Sequence, residues 1–313
     1  MGEPGNFPHV SSSFGSYDLC GLPKAPVWWY RSWWLANIST QDAGRPPLSA
    51  ATTSNFIHIV ESWQNSSSGM RTIHVYSNTP FVRLVLPGGS MTSSVPIFTY
   101  GAAEFKNIPY SPGTIQAQGL AIDNTTVLIT GTKSSWGAPA SIQLTMDAPN
   151  VNTGTGSYVY LDGGDVALLR ATIVDANGQV VHDSVAPVTF TVTSGPGLVW
   201  GTHNGDPASQ VPYHSPTHPA YHGLVRGIVR AALLATGSDA ERALIAKINV
   251  DAGKGTNTAQ ILASATAPPT SMTVTASSPG LPTATITIPL SVNIADSVLQ
   301  VASASIASAD IGA

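Results

Sequence analysis

The residues best suited to chemistry stand together in the stretch HNGDPASQVPYHSPTHPAYH. Its candidate ligands are His203, Asp206, His214, His218 and His222. Side chains of these types bind zinc when a fold gathers them. The last three histidines are spaced by four, as on one side of a helix, but Pro216 and Pro219 interrupt the run and forbid a regular helix. A loop could still gather them around zinc; the favoured alternative is a solvated loop whose histidines bind nothing. We therefore predict no metal and no cofactor.

Two acidic turns have the carboxylates and glycines of calcium loops. They are DGGD at 162–165 and DANG at 175–178. An EF-hand loop needs further acidic ligands and a glutamate at its twelfth position, and counting from Asp175 reaches Ala186. Both are therefore predicted to be ordinary β-turns. The second is predicted to be a hairpin turn, because Asn and Gly accept positive φ at little cost.

No complete active site is evident from the sequence. It contains no G-x-S-x-G nucleophile motif, and GPGLVWG is followed by neither a lysine with a Ser/Thr nor a helix, as a phosphate-binding loop requires. Sugar hydrolysis needs two carboxylates about 5 Å apart, or somewhat further for inversion. Among Glu3, Asp18, Glu61 and Glu104 no pair stands out. We predict no catalytic residue in this chain.

The elements that must position any site are mostly short β-strands. Apolar and polar residues alternate with period two in NFIHIVESW, RTIHVYSN and FVRLVLPGGS, and again after position 138 in ASIQLTMDA, APVTFTVTSGPGLVW, SMTVTAS and TATITIPLSV. Short strands separated by turn signals are typical of antiparallel sandwiches. A helix is predicted to interrupt them, because Ser238 and Glu241 have capping-box spacing before RALIAKI.

Another predicted helix is unusually aromatic. It begins near Pro26, since proline suits a first helical turn. Trp29 and Trp33 lie four residues apart, as do Tyr30 and Trp34, so their rings follow adjacent rows of one broad face. Each large aromatic side chain buries about 150–250 Å². This helix therefore needs a large partner surface.

Composition excludes several classes of partner. Only 10% of the 313 residues are charged and the formal net charge is −4, so no basic face is available for nucleic acid. The single cysteine, Cys20, cannot form a disulfide within the chain and is predicted to be a small buried residue. The first residues show no signal peptide, and no apolar run approaches a membrane span. We predict no membrane partner and leave the localisation open.

The stretch GEPGNFPHVSSSFGSYDLCGLPKAPVWWYRSWW resembles the end of the catalytic (β/α)8 barrel of glycoside hydrolase family 2 enzymes of the β-galactosidase type. In that family a Gly-Glu-Pro loop follows the eighth barrel strand, a Ser-Ser-x-Phe-Gly-x-x-Asp-Leu-x-Gly-x-Pro-Lys segment comes next, and an aromatic helix closes the barrel. The matching residues are Gly2, Glu3, Pro4, Ser12, Phe14, Gly15, Asp18, Leu19, Gly21, Pro23 and Lys24. Downstream, IHIVESWQNSSSGMRTIHVYSNTPFVRLVLPGGS resembles the first sandwich domain after the barrel, and the sequence from YVYLDGGD to NGDP resembles the C-terminal sandwich.

The resemblance implies a mainly β fold with two immunoglobulin-like antiparallel β-sandwiches, preceded by a loop-plus-helix remnant of the barrel. The expected domains are 1–48 for the remnant, 49–137 for the first sandwich and 138–313 for the second. The second includes an insert near 233–269 that is longer than the family usually carries.

The resemblance also implies a function, namely the C-terminal, non-catalytic portion of a retaining glycosidase. The family's catalytic glutamates lie on earlier barrel strands whose sequence is absent here, and Glu3 is neither of them by position. The expected partners are the catalytic barrel and, through the whole enzyme, carbohydrate. Loop residues at the carboxyl ends of barrel strands contact substrate. The candidates for the rim of a sugar site are Glu3, Asn6, Phe7, His9 and Phe14. The alternative is that these residues only fix the loop.

Two functions of other classes stay open. A stand-alone β-sandwich adhesin or carbohydrate-binding module would expose Trp63, Trp136 or Trp200 on one face as a platform for sugar rings. A plain spacer would need no binding residues at all.

Overall fold

The computed structural model describes residues 7–10, 14–36, 55–65, 67–98, 100–147, 158–161, 165–231 and 270–291. Within these ranges the chain has one α-helix and sixteen β-strands, which confirms the mainly β prediction. The chain divides into two compact units. The first holds the described residues from 14 to 137, and the second holds 7–10 together with those from 138 onward.

The first unit contains one helix and two antiparallel sheets. Its elements are α1 (Ala25–Ala36), β1 (Ile57–Ile59), β2 (Met70–Ser77), β3 (Phe81–Val85), β4 (Val95–Pro96), β5 (Ala103–Pro109), β6 (Thr114–Leu120) and β7 (Val127–Ser134). The sheets have the strand orders β1-β2-β5 and β4-β3-β6-β7. Both contribute side chains to one apolar core, including Ile73 and Val75 from β2 and Leu84 from β3. The alternation predicted for these strands is therefore confirmed.

The core of the first unit also encloses Trp63. This side chain is fully buried, and its indole N–H donates to the carbonyl oxygen of Ser111 at 3.0 Å. Its ring centroid lies 5.2 Å from that of Tyr110. A buried indole needs such an acceptor, because an unpaired N–H in an apolar core costs free energy. Trp63 is thus a core residue and not a sugar platform.

The second unit contains two further sheets. Its strands are β8 (Ser141–Met146), β9 (Val159–Tyr160), β10 (Val166–Val174), β11 (Pro187–Ser194), β12 (Gly197–His203), β13 (Thr217–Pro219), β14 (Leu224–Ala231), β15 (Ser271–Ser278) and β16 (Leu281–Ser291). The strand orders are β12-β14-β10-β8 and β13-β11-β15-β16-β9. Strands β9 and β16 pair in parallel, a departure from the antiparallel prediction. They are far apart in sequence, as parallel neighbours require.

The turn at 175–178 has the predicted form. The Asp175 carboxylate accepts the backbone N–H groups of Asn177 at 2.8 Å and Gln179 at 2.9 Å. Gly178 has a φ of 77°, a conformation that favours glycine. Positions 162–164 of the other acidic turn, the helix predicted to begin at Ser238 and to include RALIAKI, and the insert at 233–269 lie outside the described residues. In the part that is described, no helix has the length and apolarity needed to cross a bilayer.

Candidate functional site

The proposed rim residues fall into three groups. Glu3 and Asn6 lie outside the described residues. Phe7 and His9 lie on one short segment, 7–10, which belongs to the second unit, and both are exposed, Phe7 to 85%. Phe14 belongs to the first unit and is 72% exposed. The structure therefore leaves the side chains of Phe7 and His9, which are two residues apart, accessible to solvent.

Segment 7–10 is held by a distant loop of the second unit. The backbone N–H of Val10 donates to the carbonyl oxygen of Pro207 at 2.7 Å. The side-chain amide nitrogen of Gln210 donates to the carbonyl oxygen of Pro8 at 2.8 Å. We call residues 204–215 the clamp loop, because it makes both hydrogen bonds. Sequence reasoning missed this loop as a partner of the segment, since no pattern links positions that are 202 residues apart.

The clamp loop is organised by short polar hydrogen bonds along its own chain. The side-chain oxygen of Asn204 accepts the N–H of Asp206, and the carboxylate of Asp206 accepts the N–H of Ala208, both at 2.9 Å. The amide nitrogen of Asn204 donates to the carbonyl oxygen of Pro219 at 3.0 Å. Asx turns of this kind fix a loop locally. Hydrogen bonds within the clamp loop and to Pro219 thus fix its conformation.

The base of the clamp loop rests on buried histidines. His218 is fully buried, with its Nε2 2.9 Å from the Ser209 hydroxyl and its Nδ1 3.3 Å from the Thr202 hydroxyl. Burial lowers the pKa of His218 to about 4, with neighbouring His203 lowering it further and Asp206 opposing the shift. His203 is also buried, with its ring centroid 5.3 Å from that of His218. The lowered pKa leaves His218 neutral at neutral pH, and the burial of both rings gives them a structural role.

The solvated-loop prediction is therefore wrong for two of the four histidines in this stretch. His203 and His218 are enclosed because β12 ends at His203 and the short strand β13 contains His218. His214 and His222 are exposed, as predicted. Among the described residues, no group of three or more His, Cys, Asp or Glu side chains is arranged to hold a metal ion.

One side of helix α1 packs within the first unit. The ring of Trp28 stacks on His58 with a centroid distance of 4.9 Å. The indole N–H of Trp29 donates to the carbonyl oxygen of Tyr100 at 3.1 Å, and the ring of Trp33 lies edge-on to Tyr100 at 5.4 Å. Burial lowers the pKa of His58 to about 4, and Lys133 adds to that shift. The helix thus anchors on β1 and on the turn that contains Tyr100.

The other side of α1 is open to solvent. Trp34 is 67% exposed and Tyr30 is 39% exposed. Their rings stack on each other with a centroid distance of 5.2 Å. We call this pair the aromatic face. Large stacked rings left in water mark an interaction surface more often than a single exposed apolar residue does. Cys20, near the start of the helix, is half-buried rather than buried as predicted.

Several of the described carboxylates have structural contacts. The Asp18 carboxylate accepts the N–H groups of Cys20 and Leu22, and Asp147 pairs with Arg170 and Arg226. Others with such roles are Glu61 and Glu104, which both contact His74, and Asp123, Asp175 and Asp206, which accept backbone N–H groups. Hydrogen bonds from Thr126 and Thr125 hold the pKa of Asp123 at about 2. These contacts hold the carboxylates within turns, strand pairs and ion pairs of the described chain.

The tryptophans that would support a sugar-binding platform do not form one. Trp63 is fully buried and Trp136 is half-buried. Trp200 is 39% exposed, but the Arg230 guanidinium lies 4.6 Å from its ring centroid and covers one ring face. The adhesin or carbohydrate-binding alternative is therefore not favoured.

Residues 142–238 match the family model described as glycoside hydrolase family 2 C-terminal domain 5. This part of the chain is similar to that family's C-terminal domain. The matched range begins in β8 and includes β12, the clamp loop, β13 and β14. The clamp loop and the buried His203 and His218 therefore lie within the range that matches this family model.

Two curated relatives extend the similarity beyond that domain. A β-glucuronidase of Formosa agariphila is 30% identical over 227 residues, which is 72% of this chain and 20% of the relative. A β-galactosidase of Bacteroides ovatus is 25% identical over 261 residues, which is 80% of this chain and 27% of the relative. The chain thus spans between a fifth and about a quarter of these relatives' length and resembles the C-terminal part of family 2 enzymes.

Solved structures show the same fold. A β-glycosidase from Bacteroides vulgatus superposes with a TM-score of 0.63 at 19% identity, over 90% of this chain and 29% of that one. A β-glucuronidase from glycoside hydrolase family 2 gives a TM-score of 0.62 at 24% identity, over 91% of this chain and 23% of that one. At such identities the similarity concerns the fold alone.

Proposed function

We propose that this chain is the C-terminal, non-catalytic portion of a β-galactosidase-like retaining glycoside hydrolase. It would carry the end of the catalytic barrel at 1–48 and two immunoglobulin-like sandwiches at 49–137 and 138–313. The catalytic glutamates would lie in barrel sequence outside these 313 residues. The observation that carries the proposal is the family 2 C-terminal domain at 142–238, supported by relatives that are named as glycosidases.

The described carboxylates support a non-catalytic role. A retaining glycosidase needs two carboxyl groups about 5–5.5 Å apart, one as nucleophile and one as acid and base. Here Asp18 and Asp175 accept backbone N–H groups, and Asp147 neutralises two arginines. These three carboxylates are occupied by backbone N–H groups or by arginines, so they have structural roles in the chain.

The aromatic face supports the proposed contact with a catalytic barrel. Trp34 and Tyr30 stack on each other and expose much of their ring surface. In family 2 enzymes an aromatic helix closes the barrel, so the open side of α1 is the side that neighbouring barrel helices would cover. Burying both rings against the barrel would stabilise that contact, because large aromatic side chains contribute much of the apolar area at such interfaces.

The rim candidates complete the proposal. Glu3, Asn6, Phe7, His9 and Phe14 follow the position of the eighth barrel strand, and carbohydrate is the ligand class that such a rim would face. Of these, Phe7, His9 and Phe14 are exposed and therefore accessible to a ligand.

An activity assay tests the proposal. The purified 313-residue chain should not hydrolyse an aryl β-galactoside or an aryl β-glucuronide above the buffer rate. A polypeptide that joins the same chain to its upstream barrel sequence should hydrolyse at least one of them. Turnover by the chain alone at enzyme-like rates would show that the catalytic carboxylates are present. A joined polypeptide that is folded but inactive on both substrates would contradict the assignment. Retention of the chain alone on a polysaccharide column without turnover would favour a binding module.

A further inference from the structure

We propose that the clamp loop (204–215) positions segment 7–10 for carbohydrate binding, with Gln210 as the main positioning residue. The inference rests on the proposed function, in which segment 7–10 borders the sugar site of the complete enzyme. It adds a role for the family 2 C-terminal domain, because the clamp loop lies within its matched range. In this view the domain sets the shape of the substrate rim.

The first step is that hydrogen bonds, rather than apolar burial, hold the segment. Phe7 is 85% exposed and Val10 is 50% exposed, so little apolar surface of these side chains leaves water. Both hydrogen bonds involve the segment's backbone, namely Val10 N–H to Pro207 at 2.7 Å and the carbonyl of Pro8 to Gln210 at 2.8 Å. They hold the backbone of the residues that precede and follow His9.

The second step is that the clamp loop is a rigid holder. Pro207 lies within the turn in which the N–H of Ala208 donates to Asp206, and Gln210 follows this turn. Next to them the Ser209 hydroxyl lies 2.9 Å from Nε2 of the fully buried His218. A loop whose polar groups are already paired loses little conformational entropy when it holds a second segment. The position of segment 7–10 is therefore set by the sandwich beneath the loop.

The third step is that this position matters for a sugar ligand. The segment presents the ring of Phe7 and the imidazole of His9 to solvent. Binding sites for small ligands combine apolar rings with a few placed polar groups, and displacement by about 1 Å weakens such a site severely. A residue that fixes the segment would therefore act on substrate affinity without touching the substrate.

Amide hydrogen exchange on the 313-residue chain tests the clamp itself. The N–H of Val10 should be protected in the wild-type chain, and Gln210→Ala should speed its exchange about fivefold, as the loss of one neighbouring hydrogen bond implies. Gln210→Arg keeps a donor at the end of a long side chain and should restore protection. Gln143→Ala, which removes an exposed glutamine of β8 in the same unit, should leave the exchange unchanged. Unchanged exchange in Gln210→Ala would overturn the inference.

Kinetics of the joined polypeptide test the carbohydrate role. With the aryl glycoside that the joined polypeptide hydrolyses, Gln210→Ala should raise KM about three- to tenfold and change kcat less than twofold. The reason is that the substrate and the transition state lose the same binding energy. Gln210→Arg should return KM towards the wild-type value, and Gln143→Ala should match the wild type. Faster exchange at Val10 together with an unchanged KM would show a clamp with no role at the sugar site, and would overturn the inference. A wild-type joined polypeptide without activity would instead refute the proposed function, and the carbohydrate role with it.

Discussion

At the scale of single residues, two desolvated histidines are the most consequential feature, namely the fully buried His218 and the half-buried His58. His218 lies between the hydroxyls of Ser209 and Thr202, and His58 lies beneath the ring of Trp28. The sequence showed these histidines but not their burial. A histidine inside a sandwich is more useful as a neutral hydrogen-bonding group than as a ligand, because charging it there costs free energy.

The burial of these histidines predicts acid sensitivity. The pKa of His58 and that of His218 are each lowered from 6.5 to about 4 by burial, with Lys133 adding to the shift of His58 and His203 adding to that of His218 while Asp206 opposes it. Between pH 6.5 and about 4 the unfolded chain binds protons that the folded chain excludes, so the free energy of unfolding should fall as the pH drops through this window. Above pH 6.5 this contribution should be constant. Urea unfolding at several pH values between 7.5 and 4.5 measures it.

A matched variant identifies the contribution of one histidine. His218→Asn keeps a polar side chain but cannot be protonated in this range, so the fall of stability with acid should become shallower in the transition of the second unit. An identical pH dependence in the wild type and His218→Asn would show that His218 does not contribute.

A close backbone contact predicts that Gly201 cannot be replaced. A Cβ atom at Gly201 would meet the carbonyl oxygen of Tyr213, and the N–H of neighbouring Thr202 donates to that same carbonyl. Gly201→Ala should therefore cost more than about 2 kcal/mol of unfolding free energy, since backbone must shift. Gly280→Ala is the control, because its Cβ meets nothing within 4 Å and only its φ of 79° is strained, at about 1–2 kcal/mol. Thermal melts that show equal losses for both variants would contradict this.

At the scale of elements, helix α1 has one side that anchors it and one that is open. Trp28 stacks on Phe56 and His58, whereas Trp34 contacts Tyr30 on the exposed side. The spacing of the aromatic residues correctly predicted the helix, and its need for a further partner surface stays a prediction. It could not show which rings pack on the chain's own sheets and which stay exposed. Helical periodicity places residues on one face but does not say what covers that face.

The two sides of α1 should respond differently to mutation. Trp34→Ser should change the free energy of unfolding by no more than about 0.5 kcal/mol, as expected for an exposed position, and should weaken self-association of the isolated chain. Trp28→Ser removes stacking on Phe56 and His58 and should cost several times more. Thermal melts and sedimentation velocity measure the two effects. Equal destabilisation by both variants would show that Trp34 supports the fold.

One strand that the sequence analysis did not predict, β5, has a broken alternation of residues. In β5, Ala103 and Phe105 face the core, but Asn107 has a φ of 54° and the next buried residue is Ile108. The pairing of β5 with β2 shifts register at the same place. Such a bulge changes which side chains face inward, so period two no longer describes the strand. β5 is therefore recognised from its hydrogen bonding to β2 and not from its sequence pattern.

At the scale of the whole molecule, the chain corresponds to a small part of longer relatives. It spans 20% of the β-glucuronidase relative and 27% of the β-galactosidase relative, and the proposed function assigns catalysis to sequence outside these 313 residues. The low net charge of −4 is consistent with a partner that is covered by apolar contact rather than by electrostatic attraction.

Shielding of Trp34 provides a measurement at this scale. In the isolated chain the 67% exposed indole should be quenched by acrylamide, so Trp34→Phe should remove part of the quenchable fluorescence. In the joined polypeptide the barrel should cover this ring, and Trp34→Phe should leave the quenchable fraction unchanged. Trp200→Phe is the control, because its exposure should be the same in both forms. Equal quenching of Trp34 in both forms would place the barrel contact elsewhere.

The sequence by itself determined the class of the elements and the family resemblance, because alternation, turn residues and short motifs are local properties. It predicted most strands, the turn at Asp175 and the aromatic helix. Only the tertiary structure decided which side chains are enclosed, such as His218 and Trp63, and which distant segments meet, such as Gln210 and Pro8. Burial and long-range hydrogen bonds depend on how the sheets pack and how the chain returns, and no local pattern encodes a contact across 202 residues.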